Sequence, residues 1–214
     1  PLAWPTSNCM TATAMPSPPR SNPRRIVGLV LSGLMGALLV VSKQAMSGLP
    51  NIEPVTLLII LFALELPRET PAAITVFILL QGVLYGFGLW WAMYLYIWYL
   101  LALLAWLFRR MDHALFWAVL SGLYGLCFGG LCAAVYLFAK TPAFALSWWL
   151  SGLSYDALHG VGNFAIMLVL YRPLRNALRA AKRQIGYCSI KAYPRGGKWP
   201  RGVGWGTRLP LQSL

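Results

Sequence analysis

The chain has 214 residues, of which 58% are hydrophobic and only 11% are charged, and its mean hydropathy is +0.62. This composition excludes an ordinary soluble domain and indicates an integral membrane protein. The formal net charge of +13 would suit nucleic acid, but most Lys and Arg residues lie at the ends of apolar segments or in the tails. We therefore predict the lipid bilayer, and no nucleic acid, as a partner.

The two ends of the chain differ from the apolar middle. Residues 1–24 are rich in Pro, Ser and Thr and lack the apolar core of a secretory signal, so we expect a disordered tail. Met10 and Met15 are both candidate start residues, so upstream sequence that is not native is one interpretation of this tail. Residues 184–214 form a basic tail, also expected to be disordered, and its glycines lack the spacing of a phosphate-binding loop. The cysteines form no CxxC pair, and neither a metal site nor a cofactor is predicted.

Residues 25–183 are predicted to form an all-α membrane domain of six helices, because a membrane helix needs roughly 20 apolar residues. The first segment, about Ile26–Ser47, carries small residues that permit close approach of another helix. They are Gly28, Ser32 and Gly36 at four-residue spacing, with Gly33 and Ala37 beside them. Both packing within this protein and docking of a partner would use such a surface.

The second segment, Pro54–Leu66, is short for a membrane span, so a re-entrant or tilted element is an alternative. If it crosses, both termini are cytoplasmic and only Lys43 and Lys140 lie outside. The inside set is then Arg20, Arg24, Arg25, Arg68, Arg109, Arg110, Arg172, Arg175, Arg179, Lys182 and Arg183. Without that crossing, Arg20, Arg24 and Arg25 would join Lys140 outside, so the positive-inside rule favours six spans.

The third segment covers about Pro71–Gly88, and the fourth covers Leu89–Phe108. Within the fourth, Trp91, Tyr94 and Trp98 fall on one helical face. An interfacial aromatic belt and a stacking wall for a flat ligand are both consistent with this pattern.

The fifth segment, Leu115–Ala139, is rich in glycine and is predicted to allow tight helix contact. In the sixth, about Phe144–Tyr171, the residues Asp156, His159 and Asn163 share one face near the middle of the membrane. A buried acid there costs at least roughly 2.5 kcal/mol, so it needs a partner, and His159 is the predicted partner of Asp156. A structural pair, a ligand contact and an acid–base pair of an enzyme all remain open.

Four stretches, taken in order, resemble a known family: LPNIEPVTLLIIL, YGFGLWW, FWAVLSGLYGLCFGGLC, and WWLSGLSYDALHGVGNF followed by YRPL. They are similar to the S component, the substrate-binding membrane subunit, of energy-coupling factor (ECF) transporters, in a prokaryotic branch with no assigned substrate. The resemblance covers about Ile26–Leu178. Within it, ELPRETPAA departs from the basic, glycine-containing turn typical of the family.

The resemblance implies a six-helix S-component-like bundle in the prokaryotic plasma membrane that is not an enzyme. It would capture a vitamin or related micronutrient from outside and dock on a membrane coupling protein driven by two ATPases, so that ATP is used by the partners. The small residues of the first segment would form the docking surface. The implied cargo site comprises Lys43, Gln44, Asn51, Glu53, Trp91, Tyr94, Trp98, Asp156, His159 and Asn163.

Several alternatives accompany this interpretation. Glu53 either offers its carboxylate to a ligand or interacts with the positive end of the second helix, which Pro54 would start. At the level of the whole protein, a solitary transporter would use the same site, an intramembrane enzyme would use Asp156 and His159, and a membrane scaffold would bind no small molecule.

Overall fold

The computed structural model describes residues 23–48 and 52–184, which form eight helices. They are α1 (Pro23–Ala45), α2 (Val55–Glu65), α3 (Thr70–Tyr85), α4 (Leu89–Leu107), α5 (Ala114–Leu126), α6 (Phe128–Ala139), α7 (Pro142–Ser151) and α8 (Leu153–Gln184). The prediction of an all-helical fold is confirmed for this part of the chain. Asn51 and most of both predicted tails lie outside the described residues, whereas Pro23, Arg24 and Gln184 belong to helices.

Contacts between helices fix their relative directions. Ser32 meets the backbone of Glu69, and Gly36, further along α1, meets Ala73, so α1 and α3 run parallel. Other contacts, from Thr56 to Asn163 and from Glu65 to Arg175, show that α2 and α8 also run parallel. Helices α5 and α6 together form one candidate span, Ala114–Ala139.

Among the described residues, four stretches have the length and hydropathy of membrane-spanning helices. They cover Arg25–Ala45, Leu89–Leu107, Ala114–Ala139 and Leu153–Gln184. Helices α2 and α3 are apolar but shorter.

Helix α2 forms the centre of the bundle. Every residue from Val55 to Ala63 is buried, and the helix packs against α1, α3, α4 and α8. With 11 residues it is about 17 Å long, whereas the hydrocarbon core of a bilayer is about 30 Å thick. Pro54 is its N-cap, one residue before the first helical position, so Pro54 does not start the helix as predicted.

Glycine allows α5 and α8 to pack closely, as the fifth segment predicts. A β-carbon on Gly125 would lie 2.8 Å from the backbone of Gly160 and of His159. One on Gly122 would lie 3.3 Å from the Gly160 carbonyl oxygen. A backbone cannot move aside as a flexible side chain can. The two helices can therefore approach this closely only because residue 125 has no β-carbon.

Two of the predicted segments need correction. The fifth is interrupted at Cys127 and the sixth at Gly152, so each consists of two helices. The sixth also does not end near Tyr171 but continues as helix to Gln184. Three basic side chains in this extension bind Glu65 of α2, which anchors the extra turns to the core.

Candidate functional site

An ion pair connects the end of α1 to the start of α2, at what we call the α1–α2 end of the bundle. The Lys43 ammonium lies 2.6 Å from the Glu53 carboxylate, and 23% and 14% of the two side chains are exposed. The ammonium also lies 5.9 Å from the centre of the Tyr94 ring. Beside this pair, Gln44 accepts a hydrogen bond from the Tyr85 hydroxyl. Glu53 therefore serves as the partner of Lys43 and is not part of the first turn of α2.

Trp91, Tyr94 and Trp98 of α4 lie toward α3. Trp98 is completely buried, with its ring centre 5.3 Å from that of Tyr94 and 5.8 Å from that of Phe77. Trp91 donates its indole hydrogen bond to the Ile78 carbonyl oxygen at 2.9 Å. Residues of an interfacial belt would face the lipid headgroups, so the buried position of Trp98 contradicts that alternative. We call Phe77, Trp91, Tyr94 and Trp98 the aromatic wall.

Asp156 holds together two interrupted helices. One carboxylate oxygen accepts a hydrogen bond from the Gly129 amide at 2.8 Å, and the other accepts one from the Trp149 indole at 3.2 Å. Gly129 is the second residue of α6, where backbone N–H groups have no partner within the helix. The predicted partner His159 interacts with Asp156 electrostatically, but these two hydrogen bonds come from Gly129 and Trp149. The carboxylate thus caps the helix that restarts after Cys127.

The rest of this polar row also faces the interior. The Asn163 side-chain amide donates to the Thr56 hydroxyl at 3.2 Å, and the Asn163 backbone carbonyl oxygen accepts from the Ser121 hydroxyl at 3.1 Å. Asn163 therefore connects α8 to both α2 and α5. His159 is buried, with its ring centre 4.8 Å from that of Phe128. Phe128 in turn lies 5.7 Å from Trp98. This residue, which the sequence did not single out, links the polar row to the aromatic wall.

Asp156→Asn is expected to lower the free energy of unfolding by about 1–3 kcal/mol. The Asn side chain has one acceptor oxygen, so either the Gly129 amide or the Trp149 indole would face an NH₂ group and lose its hydrogen bond. Unfolding in detergent, followed by tryptophan fluorescence, measures the change. In a Trp149→Phe background the effect should be smaller, since one of the two donors is already gone. An unchanged stability of Asp156→Asn would contradict the capping role.

Sequence reasoning missed a buried ionic cluster at the opposite end of the bundle, which we call the basic end. Glu65 is 9% exposed and receives hydrogen bonds from Arg175 at 2.9 Å, Arg179 at 2.8 Å and Lys182 at 3.1 Å. Arg175 also binds Asp112. The three basic residues recur at spacings of four and three, so they lie on one face of a helix, and this is the signal that predicts the cluster.

A cavity of about 230 Å³ opens beside this cluster. It is lined by Asp112, Tyr171, Arg172, Arg175, Asn176 and Arg179.

The small residues of α1 face in two directions. Ser32 is buried and donates to the Glu69 carbonyl oxygen at 3.2 Å, and a β-carbon on Gly36 would lie 2.7 Å from Val76. These two positions pack against α3 within the protein. Gly28 and Gly33 have no described atom near the position of an added β-carbon, and Ala37 is exposed. Of the five small residues, these three are therefore the ones that no described residue covers.

The comparisons with known proteins place no further constraint on the site. No family model, no curated protein and no solved structure matches this chain. What the site does must therefore be argued from its own geometry.

Proposed function

We propose that the chain is a non-enzymatic, substrate-binding subunit of an ECF-type importer, with six spans in a prokaryotic plasma membrane and both termini cytoplasmic. It captures a vitamin or related micronutrient from outside. A membrane coupling protein and two ATPases, which use the ATP, then drive delivery.

The observation that carries this proposal is the meeting of charged and aromatic residues at the α1–α2 end. The half-buried Lys43–Glu53 pair, the Tyr94 ring and the completely buried Trp98 ring come from three separate parts of the chain. Pockets that recognise small molecules combine apolar walls with a few charged or polar groups in this way. Among the described residues, most of the basic ones lie at the opposite end of the bundle, which suits a cytoplasmic side there.

The environment of Asp156 argues against catalysis by this residue. Both oxygens of its carboxylate accept hydrogen bonds from groups that hold α6 and α7 in place. A general base needs its carboxylate or imidazole within reach of a substrate proton, and a carboxylate occupied by structural donors does not meet that requirement. The intramembrane enzyme is therefore the weaker candidate.

Affinity-tagged full-length protein, purified from its native host in mild detergent, should co-purify with a coupling protein and two ATPases. Gly33→Phe should abolish this recovery, because a bulky side chain on the accessible face of α1 blocks close helix contact. The melting temperature should stay unchanged, since no described atom lies within 4 Å of the added β-carbon. Mass spectrometry of the eluates identifies the partners.

A matched control is Leu168→Phe, which adds a similar ring on an exposed part of α8 and should leave recovery intact. Wild-type protein that binds a small molecule but recovers no ATPase would point to a solitary transporter. Wild-type protein that recovers no partner and binds no small molecule would overturn the proposed function.

A further inference from the structure

Two completely buried polar side chains lie near the aromatic wall without a visible hydrogen-bond partner. Gln81 and Trp98 are both 0% exposed. Among the described residues, neither the amide oxygen nor the amide nitrogen of Gln81 has a partner, and the indole nitrogen of Trp98 has none either. A buried polar group without a partner bears its full desolvation penalty, so such groups are rare and require an explanation.

Both groups belong to the same part of the bundle. Gln81 follows Phe77 by one turn on the buried face of α3, and the Phe77 ring lies 5.8 Å from Trp98 and 6.1 Å from Tyr94. One turn further along α3, Tyr85 binds Gln44 beside the Lys43–Glu53 pair. Gln81 therefore lies beside the aromatic wall, at the level of Trp91, and the wall reaches the ion pair through Tyr94.

Packing alone does not account for an amide at this position. Leu has a similar volume and would fill the space without a desolvation penalty, so a core optimised only for stability would not contain Gln81. Residues that reduce stability in this way are typical of binding sites, where function offsets the loss.

We propose that Gln81 and Trp98 are ligand-binding residues, and that the ligand is a planar heterocycle with a cyclic amide or amidine edge. Such an edge presents an acceptor beside a donor, which matches the donor and acceptor of the Gln81 amide with two hydrogen bonds. The Trp98 indole donates to a further acceptor on the ring, and the aromatic wall supplies stacking surfaces. This inference rests on the proposed function only in that both concern the same small-molecule site.

The first test needs no ligand. In the full-length purified protein, Gln81→Leu should raise the melting temperature by about 2–4 °C, because it removes an unsatisfied buried amide. The matched control is Asn163→Leu, which removes a buried amide that donates to Thr56 and should lower the melting temperature. Destabilisation by both variants would overturn the inference, since Gln81 would then hold the fold together as Asn163 does.

The second test uses uracil, hypoxanthine and riboflavin as probes, each beside an analogue methylated on the ring N–H next to a carbonyl. At least one parent compound should stabilise the wild-type protein, and methylation or Gln81→Leu should weaken its binding at least 10-fold. Trp98→Phe, which keeps a ring but removes the N–H, should also weaken it. A probe that binds wild type and Gln81→Leu equally, or a panel with no binder, would count against the inference.

The two proposals fail differently. Binding that depends on Gln81 without recovery of ATPases would leave this inference standing and overturn the importer. Recovery of the ATPases together with destabilisation by Gln81→Leu would leave the importer standing and overturn this inference.

Discussion

Glu65→Ala should lower the free energy of unfolding by about 3 kcal/mol, because it removes the buried anion that binds the buried Arg175 guanidinium. Three basic side chains converge on this one carboxylate, and the Arg175 side chain among them is only 11% exposed. Loss of the carboxylate also weakens the attachment of the last turns of α8 to α2, which then keeps the hydrogen bond from Lys182 to the backbone carbonyl oxygen of residue 65. Chemical unfolding in detergent measures the first effect, and hydrogen exchange of residues 175–184 measures the second.

Asp112→Asn is the matched control for this prediction. Asp112 also binds Arg175, but its side chain is 71% exposed, so we expect a loss of about 0–1 kcal/mol. If both substitutions lower the free energy of unfolding equally, the burial of Glu65 is not the reason for its effect on stability.

Gly125→Ala should destabilise the protein by about 3 kcal/mol, near the upper end of the range for overpacking. The added β-carbon would meet the backbone of Gly160 and His159 at 2.8 Å, so α5 and α8 would have to separate. Since His159 and Asn163 lie on this part of α8, we also expect weaker binding at the candidate site. Thermal unfolding and ligand titration of the same preparation test both effects.

The control for this substitution is Gly33→Ala in the middle of α1. No described atom lies within 4 Å of its added β-carbon, and Ala favours helix over Gly by about 1 kcal/mol. Gly33→Ala should therefore leave stability unchanged or raise it slightly. A loss of stability at Gly33 as large as that at Gly125 would contradict the role assigned to close packing.

Long apolar segments are the part of the fold that the sequence predicts well. The fourth segment was expected at Leu89–Phe108 and is found at Leu89–Leu107, and the first begins at Pro23 where Ile26 was expected. The bounds of these helices follow from the length of the apolar run in their own sequence. The six membrane spans themselves stay a prediction, because α2 and α3 are shorter than a hydrocarbon core requires.

The helix interruptions could not be predicted in the same way. The break at Cys127 is stabilised by Asp156, which lies 29 residues later in the chain and caps α6 through Gly129. Hydropathy reports only neighbours in sequence, so it shows one continuous apolar segment there. The continuation of α8 beyond Tyr171 likewise depends on Glu65, a residue from another helix.

The candidate site was predicted in part. Lys43, Glu53 and Tyr94 lie together, and Asp156, His159 and Asn163 share a buried face, whereas their role as a cargo site stays a prediction. The resemblance did not indicate Gln81 or Phe128, because a single Gln or Phe within an apolar helix has no distinctive spacing. Only the three-dimensional arrangement shows that the Gln81 amide lacks a hydrogen-bond partner among the described residues. It also shows that Phe128 contacts both Trp98 and His159.

If the protein delivers cargo as we propose, the short, enclosed α2 has a consequence for that movement. Charged groups flank this helix at both ends, Glu53 with Lys43 at one and Glu65 with three cations at the other. The two charged groups are separated by about the length of α2, roughly 17 Å, which is little more than half the thickness of a bilayer's hydrocarbon core. A solute displaced by about three helical turns would thus exchange one charged environment for the other.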